Sequence, residues 1–158
     1  MDLAQKKNAL RMLTYGLYVV TARDGDRVGA GTITWLSQSS FEPPLVMVGI
    51  QRDSTLNEAI VASRAFAVHI IGKSQKALAT AFFKSASVQG DQLNGFAFSP
   101  GVTGAPVLAD VPAWLECRVI AEIDRGDHTA FVAEVVEAGV RREEEPLTLK
   151  DAGFNYGG

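Results

Sequence analysis

Cysteine occurs once in the 158 residues and histidine twice. The single Cys117 excludes an internal disulfide framework, and with only His69 and His128 a Cys/His zinc site has too few ligands, so no metal is expected. No apolar run approaches the roughly 18 residues a membrane span needs. The first residues, MDLAQKKNALRMLTYG, carry charges where a secretory leader would be apolar. These absences point to a cytoplasmic protein in a reducing compartment, with no membrane association. Net charge is −3 with the basic residues scattered, so the electrostatic footprint of a nucleic-acid binder is missing. Neither G-x-G-x-x-G after a first strand nor a P-loop occurs, which removes the fingerprints of the two commonest nucleotide-binding folds.

Apolar residues make up 47% and charged residues 21%, as in ordinary globular proteins, and the length fits one domain over residues 1–158. Leu3, Leu10 and Leu13, with Ala9 and Met12, predict a short amphipathic helix ended at Gly16. The period then changes. Residues 17–23 and 28–40 read as two strands joined by a tight Asp-Gly turn. Pro43-Pro44 precede a continuous apolar run, Leu45 to Ile50, expected to be a strand buried on both faces. Asp53 or Ser54 caps a helix carrying Leu56 and Ile60, and a second helix follows around Leu78, Ala81 and Phe82. Residues 85–112, rich in Gly, Ser and Pro, read as a long irregular stretch, and such stretches are usually functional. Two long alternating strands then meet at Gly126-Asp127-His128, and residues 147–150 suggest one more short strand. Six or seven strands with two or three short helices, without βαβ alternation, predict a mainly β protein built as an antiparallel barrel decorated by helices.

Three constellations carry chemistry. Thr32, Thr34, Ser37, Gln38, Ser39 and Ser40 crowd one strand end, offering the short donors and acceptors that a heteroaromatic ring edge asks for; a Ser/Thr-rich edge strand explains them equally. Arg52 with Ser54-Thr55 at a helix start suits phosphate oxygens, although an ordinary cap and a solvated arginine explain them too. Lys84 is a second cation for the same phosphate or a charge at a helix C-terminus. His128 on its Gly-Asp-His turn is either a turn residue or an imidazole placed to stack on a ligand. His69 and Cys117 read as core side chains.

Together these residues resemble the flavin reductase-like family, FMN-binding split-barrel proteins that include reductase components of two-component flavin monooxygenases and flavoredoxins. The family form T-A-N-S-F-x-S-V-S-x-x-P-P-L appears as TITWLSQSSFEPPLV, Thr32 to Val46. The form W-L-x-C-x-V, then G-D-H, then F-V-x-E-V appears within Trp114 to Ala138. The likeness runs from Leu13 to Tyr156, with Thr34 where the family has Asn and Trp35 where it has Ser.

The resemblance implies a Greek-key antiparallel split β-barrel and an NAD(P)H:flavin oxidoreductase using FMN, or FAD as the alternative, with NADH or NADPH as substrate. It implies Thr32, Ile33, Thr34 and Trp35 along the flavin ring, Ser37 and Gln38 at the ring and ribityl chain, and Arg52, Ser54, Thr55 and Lys84 around the phosphate. Gly126, Asp127 and His128, with a lid of Phe154 and Tyr156, are implied for the nicotinamide. No acid, base or nucleophile is required, because the cofactors carry the hydride. The resemblance further implies a homodimer with the site completed at the interface, and a monooxygenase or electron-acceptor protein as partner. A flavoredoxin-like FMN carrier without efficient NAD(P)H activity is the alternative.

Overall fold

The computed structural model describes residues 1–158. The elements in chain order are α1 (Leu3–Arg11), β1 (Tyr18–Asp24), β2 (Arg27–Ile33), β3 (Leu36–Ser40), β4 (Leu45–Gln51), α2 (Thr55–Ser63), β5 (Ala65–Ile70), α3 (Lys76–Ala81), β6 (Val88–Gln89), β7 (Gln92–Leu93), β8 (Phe96–Pro100), β9 (Pro106–Leu108), β10 (Ala113–Asp124), β11 (His128–Val140) and α4 (Leu149–Ala152). Seven antiparallel strands form one sheet in the order β2-β1-β5-β10-β11-β4-β3, and β6 to β9 form a small second sheet. This is the mainly β, open antiparallel barrel expected. Side chains from the distant strands β1 and β4 share one buried cluster (Val20, Ala22, Val46, Val48, Ile50), so the large sheet curls around it. Phe66 and Phe131 fill that interior and Leu56 and Ile60 of α2 cover it, each large apolar side chain contributing about 1.5–3 kcal/mol through burial.

The β1–β2 hairpin forms as expected, with Gly25 at φ +58° in the turn. The run read as its second strand is in fact two. β2 ends at Ile33, β3 begins at Leu36, and the two lie at opposite edges of the sheet, so Thr34-Trp35 carries the chain across the gap between those edges. A run of β-branched and polar residues does not reveal this, because strand propensity continues through the crossing.

Other expectations need correction. The irregular stretch contains a four-stranded meander whose β7–β8 turn is Asn94-Gly95, both at positive φ (49° and 87°). Asn-Gly is a strong hairpin signal, and it was masked here by neighbouring Gly and Ser. Residues 147–150 form no strand: Thr148 accepts from the Asp151 amide through Oγ1 and starts the short α4, leaving a single bridge from Thr148 to Gly16. α1 stops at Arg11 rather than reaching Gly16, and none of its residues is buried. β4 is buried on one face only, Val46, Val48 and Ile50 pointing inward while Met47 is exposed.

Three buried polar groups fasten the small sheet to the large one. His69 sits with Nδ1 2.9 Å from the Val19 carbonyl and Nε2 3.0 Å from the Leu108 amide, which fixes a neutral ring donating from Nδ1 and accepting at Nε2. Thr21 Oγ1 donates to the Pro106 carbonyl at 2.5 Å. The buried Glu116 carboxylate accepts from the amides of Val102 and Thr103 and from Thr103 Oγ1. The Cys117 thiol is buried and pushed up to about 12 by desolvation, which makes it an inert core group.

Burial lowers His69 to about 4 from the usual 6.5. The unfolded chain therefore binds a proton that the folded chain refuses between those values, so stability falls as pH drops from about 6.5 towards 4. The loss attributable to this ring is on the order of 3 kcal/mol. Urea unfolding between pH 7 and pH 4 should show it, and a His69→Gln variant, although less stable at pH 7, should lose less on acidification than the wild type.

Candidate functional site

The crossing at Thr34-Trp35 opens a cavity of about 490 Å³, a volume in the range of small-molecule sites. Its walls come from β2, the crossing, the end of β4, the first turn of α2, the segment after α3, His128 and the C-terminal tail. Two buried polar atoms here have no partner, Thr34 Oγ1 on a residue only 6% exposed and Trp35 Nε1. Leaving such groups unpaired in a folded protein is costly, and they mark where a ligand with hydrogen-bonding edges would be held. The indole reaches this place because Gly49, whose amide donates to the Trp35 carbonyl, has no side chain: a Cβ there would lie 3.2 Å from the ring.

One end of the cavity suits an anion. Ser54 caps α2, accepting from the Asn57 amide and donating to the Gln51 carbonyl, so its one donor hydrogen is already used. The Glu58 amide goes to the Ser54 carbonyl, which leaves the Thr55 and Leu56 amides as the free donors of the helix, beside the Thr55 hydroxyl. Gly29 allows this turn to sit hard on β2, since a Cβ there would fall 2.5 Å from the Leu56 Cα. Lys84 lines the same cavity, is exposed, and has no acidic partner.

The other end is roofed by the tail. His128 Nδ1 lies 2.7 Å from Asp127 Oδ1 and Nε2 lies 2.8 Å from the Tyr156 hydroxyl. With the imidazole neutral, Nδ1–H donates to the carboxylate and Nε2 accepts from the tyrosine. Trp35 packs in tilted contact with both rings, its centroid 4.5 Å from that of His128 at an interplanar angle of 45° and 5.2 Å from that of Tyr156 at 60°. The hydrogen bond from His128 holds the Asp127 carboxyl below its ordinary range, while burial and the Asp127 charge raise the Tyr156 phenol. Phe154 is held in place by the edge of Phe83 and by the Lys76 ammonium over its face.

Of the residues singled out from sequence, Thr32, Ile33, Thr34, Trp35, Ser54, Thr55, Lys84, His128, Phe154 and Tyr156 come together around this one cavity. Ser37, Gln38, Arg52, Gly126 and Asp127 are not among its walls. Ser37 and Gln38 are exposed on the edge strand β3 and satisfy each other's neighbourhood, Ser37 Oγ donating to the Gln38 carbonyl and Gln38 Nε2 to the Ser40 carbonyl. Arg52 turns away to Asp124 and the Gly126 carbonyl. Sequence reasoning missed Phe83 and Gly49, whose roles follow from what they touch and not from any local pattern.

The chain has relatives among known proteins. Residues 10–158 match the family described as Flavin reductase like domain. The chain is 32% identical over 146 residues to the putative diflavin flavoprotein A 3 of Nostoc sp., covering 92% of this chain and 25% of that protein. It is 30% identical over 148 residues to the FMN reductase (NADH) SmoA of Agrobacterium fabrum, covering 94% and 82%. Among solved structures, the styrene monooxygenase flavin reductase of Pseudomonas putida superposes with a TM-score of 0.78 at 28% identity, covering 97% of this chain and 95% of that one. The chain thus spans a quarter of the first relative's length, and it spans 62% of the high molecular weight rubredoxin of Moorella thermoacetica.

Because Tyr156 and Gly157 cover Trp35, a chain ending at Asn155 should show tryptophan emission shifted to longer wavelength. The same truncation made with Trp35→Phe, which leaves Trp114 as the emitter, should not shift; an equal shift in both would mean that the tail does not shield the indole.

Proposed function

The chain belongs to the flavin reductase-like family, and on that premise we propose that it is an NAD(P)H-dependent flavin reductase that uses FMN and supplies reduced flavin or electrons to a partner protein. The observation that carries this reading is the cavity at the crossing. It pairs unpartnered donors, Thr34 Oγ1 and Trp35 Nε1, with an anion-ready helix start and a free lysine. A ligand with a flat ring bearing N–H and C=O groups at one end and a phosphate at the other matches that donor set, so the residues fit FMN. FMN, when bound, supplies the hydride acceptor.

The protein's own contributions are binding and orientation. Thr32, Ile33, Thr34 and Trp35 take the ring, and the Thr55 and Leu56 amides, the Thr55 hydroxyl and Lys84 take the phosphate, with Ser54 fixing the turn that presents them. His128, with Tyr156 and Phe154, closes over the ring and aligns the nicotinamide, excluding water from the contact. In the neutral ring, the Asp127 carboxylate favours the tautomer that donates from Nδ1 and leaves Nε2 to accept. No helix is long and apolar enough to cross a membrane, and we place the enzyme in the cytoplasm. Residues 1–158 form the reductase unit in this reading. The exposed Met47 pairs in register with the half-buried Val132, and Val132 with the exposed Ala121, giving a partly exposed apolar strip on the outer face. A second copy on that strip, making a homodimer, is part of the reading, and a monooxygenase or other electron acceptor is the onward partner.

Anaerobic mixing with NADH or NADPH should bleach protein-bound FMN within a turnover time. A flavoredoxin-like carrier would bind FMN but be reduced only sluggishly, and a colourless protein that binds no FMN would end the proposal. Lys84→Ala should weaken FMN by roughly 1–3 kcal/mol and leave riboflavin, which lacks the phosphate, nearly unaffected; equal losses for both would remove Lys84 from the phosphate site. His128→Asn should raise the KM for NADH while dithionite still reduces the bound flavin.

A further inference from the structure

Arg52 follows the last residue of β4, where Gln51 pairs with His128. Its amide donates to the Asp127 carbonyl at 2.9 Å, one guanidinium nitrogen donates to the Gly126 carbonyl at 3.4 Å, and another meets Asp124 Oδ2 at 2.9 Å. The other oxygen of Asp124 accepts from Thr129 Oγ1 at 3.3 Å, on the opposite strand of the same hairpin. The guanidinium therefore runs beneath the whole turn from Asp124 to Asp127. Residues 124–127 are all exposed, and Gly126 adopts φ +110°, so no side-chain burial holds this turn. Its defined fastening to the barrel is this set of contacts, and the residue it ends on is His128, whose ring meets both Trp35 and Tyr156.

We infer that Arg52 and Asp124 are a positioning pair for nicotinamide recognition: together they clip the Gly-Asp-His turn to β4 and so set the His128 ring against the tail. The assignment rests on the reductase reading and replaces a role for Arg52 at the phosphate. Both side chains are about half exposed, 49% and 46%, and an ion pair of that kind adds little to global stability. Its effect is local, because the turn has little else to lose before it moves.

The test uses the full chain with FMN bound and compares Arg52→Gln, Asp124→Asn, the double variant and Arg52→Lys. Each single change should raise the KM for NADH by about two- to five-fold, as loss of one exposed charge pair permits. FMN affinity should be unchanged, the double variant no worse than either single one, and Arg52→Lys partly restored. Hydrogen exchange should quicken in residues 125–128 of the same variants, including without flavin or nucleotide. Weaker FMN but not riboflavin binding in Arg52→Gln, with Asp124→Asn silent, would return Arg52 to the phosphate and overturn the clip. A lowered Tm with the KM for NADH and the exchange unaltered would also overturn it, as an ordinary surface pair. If the wild type were not reduced by NADH, the reductase reading would fall, and unchanged exchange at 125–128 would separately sink the clip.

Discussion

A strand that must leave one edge of a sheet and start again at the opposite edge cannot satisfy its own backbone in the ladder, and that crossing at residues 33–36 governs this molecule. β2 and β3 are consecutive in the chain yet farthest apart in the strand order. The intervening residues are held by scattered bonds instead: the Trp35 carbonyl accepts from the Gly49 amide and the Thr34 carbonyl from the Leu36 amide. The sheet stays open along that line, and the opening is the cavity. α2, the segment after α3 and the tail gather there because an unsealed barrel would otherwise expose its interior.

With one exception, buried side-chain polar groups outside the cavity are satisfied, and the contrast helps to locate the site. His69 is bonded at Val19 of β1 and Leu108 of β9, Thr21 at Pro106 of β9, and Glu116 at Val102 and Thr103 in the loop between β8 and β9. Thr34 Oγ1 and Trp35 Nε1 find none, and the one other buried orphan is Arg23 Nε, whose guanidinium lies over Phe98. A fold that pairs its deep imidazole and carboxylate so completely leaves two adjacent donors free only where something else is meant to meet them.

Much of this was legible from sequence where local chemistry decides local structure. The Asp-Gly hairpin, the Ser54 cap and the two long strands around the Gly-Asp-His turn follow from turn preference, capping and alternation. Most of the residues picked for the site do share one cavity. What escaped is non-local. Strand propensity does not report which edge a strand joins, so the break at Thr34-Trp35 was invisible. The exposure of Met47 depends on what covers the outer face and not on the apolar run that contains it. Arg52 looked like a phosphate ligand by its neighbours in sequence, whereas its neighbours in space are an aspartate 72 residues away and the turn beside it.

The two ends of the cavity are built to different standards of freedom. At Gly29 the backbones of β2 and α2 touch with no space for even a methyl group, so the anion end is set by main chain against main chain. The roof is assembled from side chains on a tail and a hairpin tip, elements that can change length and sequence without moving the barrel. Divergence among such proteins should therefore be lopsided, with new substrates admitted by rewriting residues 124–128 and 154–157 while the Gly29 contact stays as it is; an engineer wishing to retune the molecule should begin at the same places.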